Sequence, residues 1–381
     1  MYIQMIKPYF KSQVYLIVLF LLAGNLKAVG QNNNLISPEV ESARTDAYEM
    51  QLENYLRHYL VVEYEARAEK AWNRDYSSPD ALERSVTPNR RRWEEVLSPP
   101  VLTKSGPLER KPYALGEIQA EWIELPLGML AAEAVLAFPA GASEQKQVPI
   151  IIVQHGIAST PETPFTPGAY HEYAKGLLKA GFAVLVPMNL KSVERRNNVE
   201  RYARLAGTSL PGIELVRLQH LLDIVLADPR VDGKKVGMWG VSLGGMATMF
   251  WMPLEPRIKA GVVSAWFNKR RNKMAVPDER YSSFSPREEH AFFNGWLTEF
   301  SDYDLVSLIA PRPLMIQHGK KDNIAHWPQV VEEFDKSKIH YQKLKISESI
   351  ELIMHEGGHE AIVDEGVRFM TNWLIGSDRE N

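Results

Sequence analysis

The chain reads as an α/β protein built on a mostly parallel sheet with helices on both faces, and three observations predict it. From about residue 112 onward, short apolar runs alternate with helical segments. Continuous apolar strands of this kind are buried on both faces, as parallel strands between helical layers are. An antiparallel hairpin signal precedes the alternation, and one strand (235–239) runs straight into Gly240-Val241-Ser242-Leu243-Gly244 with helix-forming residues behind it. Composition agrees: 381 residues, 45% apolar and 24% charged, suffice for one large domain or two smaller ones with a substantial core.

The N-terminus has its own character. Lys7 and Lys11 precede an apolar run at 14–23, and small residues follow, with Ala28-Val29-Gly30 before Gln31. A positive end, a short apolar core and a small-residue site predict a cleaved secretory signal over 1–30, with a mature start near Gln31. The competing reading, an uncleaved anchor, needs roughly 20 apolar residues, so no stable membrane span is expected in the mature protein. Export to the periplasm or medium follows. The chain has no cysteine, which excludes disulfides, thiolate metal ligands and a thiol nucleophile. Its net charge is −3, and the first 30 residues hold three lysines and no acid. The acidic remainder argues against nucleic acid as a partner.

Residues 31–111 read as a helical extension packed on the main domain. Leu52, Tyr55, Leu56, Tyr59 and Leu60 fall at helical spacing, and Ser78-Pro79 and Thr87-Pro88 each set a capping residue before a proline suited to a first turn. A helix ending near Val96-Leu97 is expected. The main domain, 112–381, opens with the hairpin: Ile118, Ala120 and Trp122 alternate with polar residues, Pro126-Leu127-Gly128 turns, and 130–138 supplies the second strand. Strand 150–153, helix 168–180, strand 182–186, helix 212–226 and strand 235–239 follow. Strands at 258–263, 313–317 and 350–354 complete the sheet, and an amphipathic helix at 360–374 closes the chain. An insertion at about 266–300 is aromatic (Trp266, Phe267, Tyr281, Phe284, Phe292, Phe293, Trp296, Phe300) and carries Lys269, Arg270, Arg271 and Lys273. It reads either as a small packed lid with a solvated charged face or as a surface that stacks on sugar rings and meets a uronate.

Ligands bind at the carboxyl ends of strands in such sheets. Ser242 sits on a strand-to-helix turn, where flanking glycines let the backbone crowd in and the hydroxyl stand exposed. Asp322 follows the strand ending at His318-Gly319, and His359 follows the last strand. The order Ser242, Asp322, His359 is a nucleophile, an orienting acid and a base. Donors to a developing oxyanion are expected from the backbone N–H of Leu243 and from the loop His155-Gly156-Ile157, with Ile157 favoured and Gly156 as the fallback. His155 reads as a buried histidine holding that loop or as a substrate contact. A rival motif is present: His355-Glu356-Gly357-Gly358-His359 matches the zinc-protease pattern His-Glu-x-x-His. That pattern works on a helix, and two adjacent glycines each cost about 1 kcal/mol there relative to alanine. The segment reads instead as a strand end and loop, so no metal and no cofactor are expected.

These motifs resemble the α/β-hydrolase superfamily. The resemblance rests on His155-Gly156, Asp228-Pro229-Arg230-Val231-Asp232, Val236-Gly237-Met238-Trp239-Gly240-Val241-Ser242-Leu243-Gly244-Gly245, Ala310-Pro311-Arg312-Pro313-Leu314, His318-Gly319, Asp322 and Gly358-His359-Glu360. Within the superfamily the chain resembles secreted bacterial esterases of the acetyl-xylan-esterase-like and dienelactone-hydrolase-like branches. It departs from the second, whose nucleophile is a cysteine, at Ser242. The resemblance implies cofactor-free hydrolysis through an acyl-enzyme, mostly of esters, with a small-molecule or carbohydrate ester as substrate. Two alternatives stand beside it: a peptidase of the prolyl-oligopeptidase type, against which residues 31–111 are too few and too helical for a propeller, and an inactive hydrolase fold that only binds. The sequence carries no signal for oligomeric state.

Overall fold

The computed structural model describes residues 35–376 except 169, 279–281 and 283–287. The leader expected at 1–30 and the insertion's Tyr281 and Phe284 lie outside the described residues. The chain divides into a unit ending at Tyr59 and a main unit from Leu60. In the first, helix α1 (Pro38–Arg57) starts at Ser37, whose hydroxyl accepts the Val40 N–H. No residue of α1 is buried, and Leu52, Tyr55 and Leu56 of the expected stripe are exposed, whereas Leu60, in the main unit, packs against its core.

The main unit begins with α2 (Tyr64–Ala71), α3 (Pro79–Ser85) and α4 (Thr87–Leu97). Ser78 caps α3 by accepting the Ala81 N–H at 3.1 Å. Thr87 does not cap α4: its hydroxyl donates back to the Glu83 carbonyl, and Val86 occupies the cap position. With α3 only one residue away, the backbone enters α4 already helical, and no extended residue is left to act as a cap. Tyr64, Leu82, Val86, Trp93 and Leu97 are buried in the same core as one face of the sheet.

Among the described residues nine strands follow: β1 (Glu109–Leu115), β2 (Ile118–Leu127), β3 (Leu130–Ala137), β4 (Val148–Gln154), β5 (Ala183–Pro187), β6 (Val231–Val241), β7 (Ile258–Ser264), β8 (Leu314–Gly319) and β9 (Ile350–His355). Their order is β1-β2-β3-β5-β4-β6-β7-β8-β9. The first three form an antiparallel meander joined antiparallel to β5, and β5 to β9 are parallel throughout. The chain turns from β2 to β3 at Gly128, whose φ of +68° is open to glycine. The predicted parallel sheet is therefore present, and the expected hairpin carries one more strand. β1 escapes sequence reading because most of its side chains are exposed, so it lacks apolar alternation.

Helices α5 (Tyr173–Lys179), α6 (Val193–Leu205), α7 (Leu210–Val225), α8 (Leu243–Trp251), α9 (Arg270–Ala275), α10 (Asp302–Ile309), α11 (Trp327–Lys343) and α12 (Val363–Leu374) connect and cover the strands. Alternate strand residues feed two cores. Ile150 and Ile152 point with Met238, Val263 and Ile316 toward α7, α8, α10 and α11. Ile151 and Val153 point with Trp239, Val262 and Met315 toward α5 and α12. Burial on both faces forces the continuous apolar runs seen in the sequence. No helix among the described residues is long and apolar enough to cross a membrane.

Candidate active site

The site forms where β4, β6, β7, β8 and β9 end. Ser242 links β6 to α8 with φ +59° and ψ −120°, a conformation rare for a residue with a side chain. Strain of this kind persists only where surroundings over-determine it. Here the Ser242 N–H donates to the Ser264 carbonyl at 2.9 Å, and its own carbonyl starts α8 by accepting the Met246 N–H at 3.0 Å. The glycines are steric necessities: a Cβ at Gly240 would stand 1.9 Å from the Gly244 carbonyl oxygen, and one at Gly244 would stand 1.9 Å from that of Gln154.

The acid and base loops are laced together. Lys320 N–H donates to the His355 carbonyl at 2.8 Å and Lys321 N–H to that of Gly357 at 2.9 Å. A Cβ at Gly319 would meet the Gly358 oxygen at 2.2 Å, so the loops touch backbone to backbone. His359 Nδ1 lies 2.8 Å from Asp322 Oδ2, and Asp322 Oδ1 accepts the Ile324 N–H at 3.0 Å. Burial pushes the Asp322 carboxyl up, but the His359 hydrogen bond and charge outweigh it and hold the group below the usual range. Asp322 is therefore ionised and can only accept, which puts the His359 proton on Nδ1 and leaves the Nε2 lone pair available as an acceptor. Of the three candidate residues, Asp322 and His359 are joined by a hydrogen bond. Ser242 is reached from the other side: a Cβ on Gly156 would come within 3.1 Å of its Cβ, so the loop after β4 abuts the turn.

The His-Glu-Gly-Gly-His segment is not helical. β9 ends at His355, and α12 starts only at Val363. His355 Nδ1 accepts the Gly357 N–H at 3.2 Å, Glu356 pairs with Lys320, and His359 turns to Asp322. The two imidazoles thus have different partners.

Three contacts around the site have no sequence signature. Gln317 on β8 bridges elements: its side-chain oxygen accepts from Ser264 Oγ at 2.8 Å and from the Ile362 N–H at 3.0 Å, and its amide donates to the Ile362 carbonyl at 2.9 Å. Ser264 Oγ also accepts from Trp239 Nε1 at 3.0 Å. One buried chain thus ties the Ser242 strand to the loop that follows His359. Glu360 takes His171 Nε2 at 2.6 Å and the Gly358 N–H at 2.9 Å, which fixes the turn before the base. Tyr170 Oη accepts the Gly156 N–H at 2.6 Å. Gln317 and Tyr170 are single residues distant in sequence from Ser242 with no pattern by which reading alone could find them, and Glu360, although it follows His359, carries none for its contacts.

His155 is fully buried, and burial pushes its imidazole down. Its Nδ1 lies 3.1 Å from the Gly156 carbonyl, which fits the loop-holding reading. The insertion corrects one expectation: its basic cluster is not a solvated face. Arg270 and Asp302, both fully buried, pair at 2.8 Å, Arg271 meets Glu65 at 2.7 Å, Lys269 meets Glu332, and Lys273 donates to the Ile324 carbonyl of the acid loop. Phe267, Trp296 and Phe300 are core. The charges are buried because each finds an acid or a carbonyl on a neighbouring element.

His318, at the end of β8, has both ring nitrogens buried without hydrogen-bond partners, Nε2 standing 4.0 Å from Asp322 Oδ2, and burial pushes it down to about 4. It is neutral in the folded chain, whereas an unfolded histidine titrates near 6.5. Between these values the unfolded state binds the extra proton. Its contribution to stability is thus complete above about pH 6.5 and declines as pH falls toward about 4. Urea unfolding at pH 7 and pH 5 is expected to give a smaller drop for His318→Leu than for the unsubstituted protein.

Comparison with known proteins agrees with this architecture. The family model of the prolyl oligopeptidase family matches residues 218–375. YitV of Bacillus subtilis (strain 168), an esterase by assigned name only, is 24% identical over 230 residues, covering 53% of this chain and 79% of that protein. The crystal structure of a Bacteroides fragilis NCTC 9343 protein, assigned by name as an acetyl xylan esterase, is similar with TM-score 0.61 and 17% identity, covering 87% of this chain and 85% of that one. A glucuronoyl esterase from Solibacter usitatus is similar with TM-score 0.56 and 13% identity, covering 77% and 94%. Fold, strand order and the similarity to these structures together show that the chain has the α/β-hydrolase fold.

Proposed function

We propose that the chain is an exported serine hydrolase that cleaves a carboxylic ester through an acyl-enzyme. The observation that carries the reading is Ser242, held at φ +59° on the strand-to-helix turn, in a site whose base loop presents His359 hydrogen-bonded to Asp322. Ser242 Oγ attacks the carbonyl carbon while His359 Nε2 takes its proton. Ionised Asp322 keeps the Nδ1–H oriented and stabilises the imidazolium. The oxyanion is met by the N–H groups of Leu243, first in its helix and so without an intrahelical acceptor, and of Ile157. Collapse breaks the ester C–O bond, His359 protonates the departing alcohol, and water repeats the sequence to release the acid. Esters of carbohydrates, acetyl esters among them, are the substrate class favoured by the names of similar structures. The proposed export rests on Lys7, Lys11, the apolar run at 14–23 and Ala28-Val29-Gly30.

Fluorophosphonate labelling tests the reading. The protein is expected to label stoichiometrically and the Ser242→Ala variant not at all, with unchanged circular dichroism; a folded protein that does not label overturns it and leaves the binding-only alternative. The match to the prolyl oligopeptidase family supports a second reading, peptide bond cleavage by the same residues. Turnover of p-nitrophenyl acetate and acetylated xylo-oligosaccharides against dipeptidyl p-nitroanilides separates the two, and faster amide cleavage reverses our preference.

A further inference from the structure

We infer that Tyr170 is a positioning residue that commits the loop after β4 to a single oxyanion donor, the N–H of Ile157; the inference rests on the serine-hydrolase reading. The Gly156 N–H donates to Tyr170 Oη at 2.6 Å, Tyr170 Oη lies 2.7 Å from Ser159 Oγ, and Ser159 Oγ donates to the Ile157 carbonyl at 3.2 Å. We assign the Ser159 proton to the Ile157 carbonyl, which leaves the Tyr170 proton to Ser159. The chain then runs one way, from the Gly156 N–H through two hydroxyls to the Ile157 C=O, with every donor and acceptor in it matched. It grips both ends of the Gly156–Ile157 backbone.

The consequence lies in what remains. The Gly156 N–H is spent on Tyr170, and the Ala158 N–H is spent on the Lys191 carbonyl at 2.9 Å. The Ile157 N–H lies between them and is engaged by neither contact. The hydroxyl acts close to Ser242: a Cβ on Gly156 would stand 2.8 Å from Tyr170 Oη and 3.1 Å from Ser242 Cβ. The ring is itself held, stacked on Tyr173 at 6.1 Å, and Tyr173 packs at 4.7 Å on Trp239 of the strand that carries Ser242. Burial pushes the Tyr170 phenol up, which keeps it a neutral hydroxyl able to accept and donate at once. The phenol therefore gauges the loop against the nucleophile strand. With its proton taken by Ser159, it has none to offer a substrate.

Tyr170→Phe keeps the ring and removes both hydrogen bonds. A misplaced catalytic contact costs up to about 100-fold and a lost oxyanion donor about 100- to 1,000-fold. With p-nitrophenyl acetate, kcat is expected to fall about 10- to 100-fold, with KM changed less than about threefold. Ser159→Ala, which leaves the tyrosine in place, is expected to lower kcat in the same direction, and the double variant to be no worse than Tyr170→Phe alone. Wild-type kcat in folded Tyr170→Phe overturns the inference. So does a Ser159→Ala variant with undiminished kcat, because the tyrosine would then act directly on the substrate. If Tyr170→Phe does not fold, Ser159→Ala decides alone. Fluorophosphonate labelling of the unsubstituted protein separates the two failures: without it the serine-hydrolase reading falls, whereas with it only the role of Tyr170 is at stake.

Discussion

Replacing His359 with alanine is expected to lower turnover by about 10⁴- to 10⁶-fold, close to the loss from Ser242→Ala, because in the proposed mechanism nucleophile and base act as a unit and either deletion removes most of what both supply. His355→Ala, four residues earlier in the same motif, is expected to cost less than about tenfold. The contrast follows from their partners. His359 faces ionised Asp322 at 2.8 Å, whereas His355 accepts an N–H from its own loop, and burial pushes its imidazole down. Initial rates on p-nitrophenyl acetate measure both variants, and the Ser242→Ala/His359→Ala double variant should lose little more than either single one. A larger loss from His355→Ala would make His355 the base. Asp322→Asn should fall between them, since it keeps the geometry but no longer favours the Nδ1–H tautomer.

Gly244→Ala is expected to prevent folding or to destabilise by more than about 4 kcal/mol, a size reserved for severe steric or cavity defects. The added carbon would lie 1.9 Å from the carbonyl oxygen of Gln154, which is backbone of the central strand β4 and cannot rotate away. Soluble yield and thermal unfolding measure the effect. Gly128→Ala is the control. Its Cβ would meet nothing within 4 Å, and only the positive φ opposes it, so the cost should be about 1 to 2 kcal/mol. Equal losses at the two positions would mean that backbone conformation rather than close approach makes Gly244 a glycine.

Much of the sheet was legible because burial on both faces leaves no room for polar residues in its strands. Residues 150–153, and 258–263 apart from the exposed Lys259, follow this rule. Strand β1 and helices α6, α9, α10 and α11 escaped. β1 is mostly exposed, and helix α6 is strongly polar, so neither displays the apolar period that reading depends on. Thr87 looked like a cap, but the preceding turn was already helical, a matter of chain path rather than residue type. In the insertion, the basic run Lys269 to Lys273 suggested a solvated face by composition. Its acids and carbonyls lie 32 to 206 positions away in the chain, on Asp302, Ile324, Glu332 and Glu65, and only folding brings them within reach.

By itself, the sequence determined the buried strands of the sheet, the glycines around Ser242 and the candidates Ser242, Asp322 and His359, because each depends on local chemistry: an apolar run, a turn too tight for a Cβ, a polar residue just past a strand. The tertiary structure alone decided which donors and acceptors meet. It assigned the Gly156 N–H to Tyr170, pinned the base loop through Gln317 and Glu360, and separated His355 from His359 despite their shared motif. Hydrogen bonds need atoms within about 3 Å, and strands far apart in the chain must first pair in register before that distance exists.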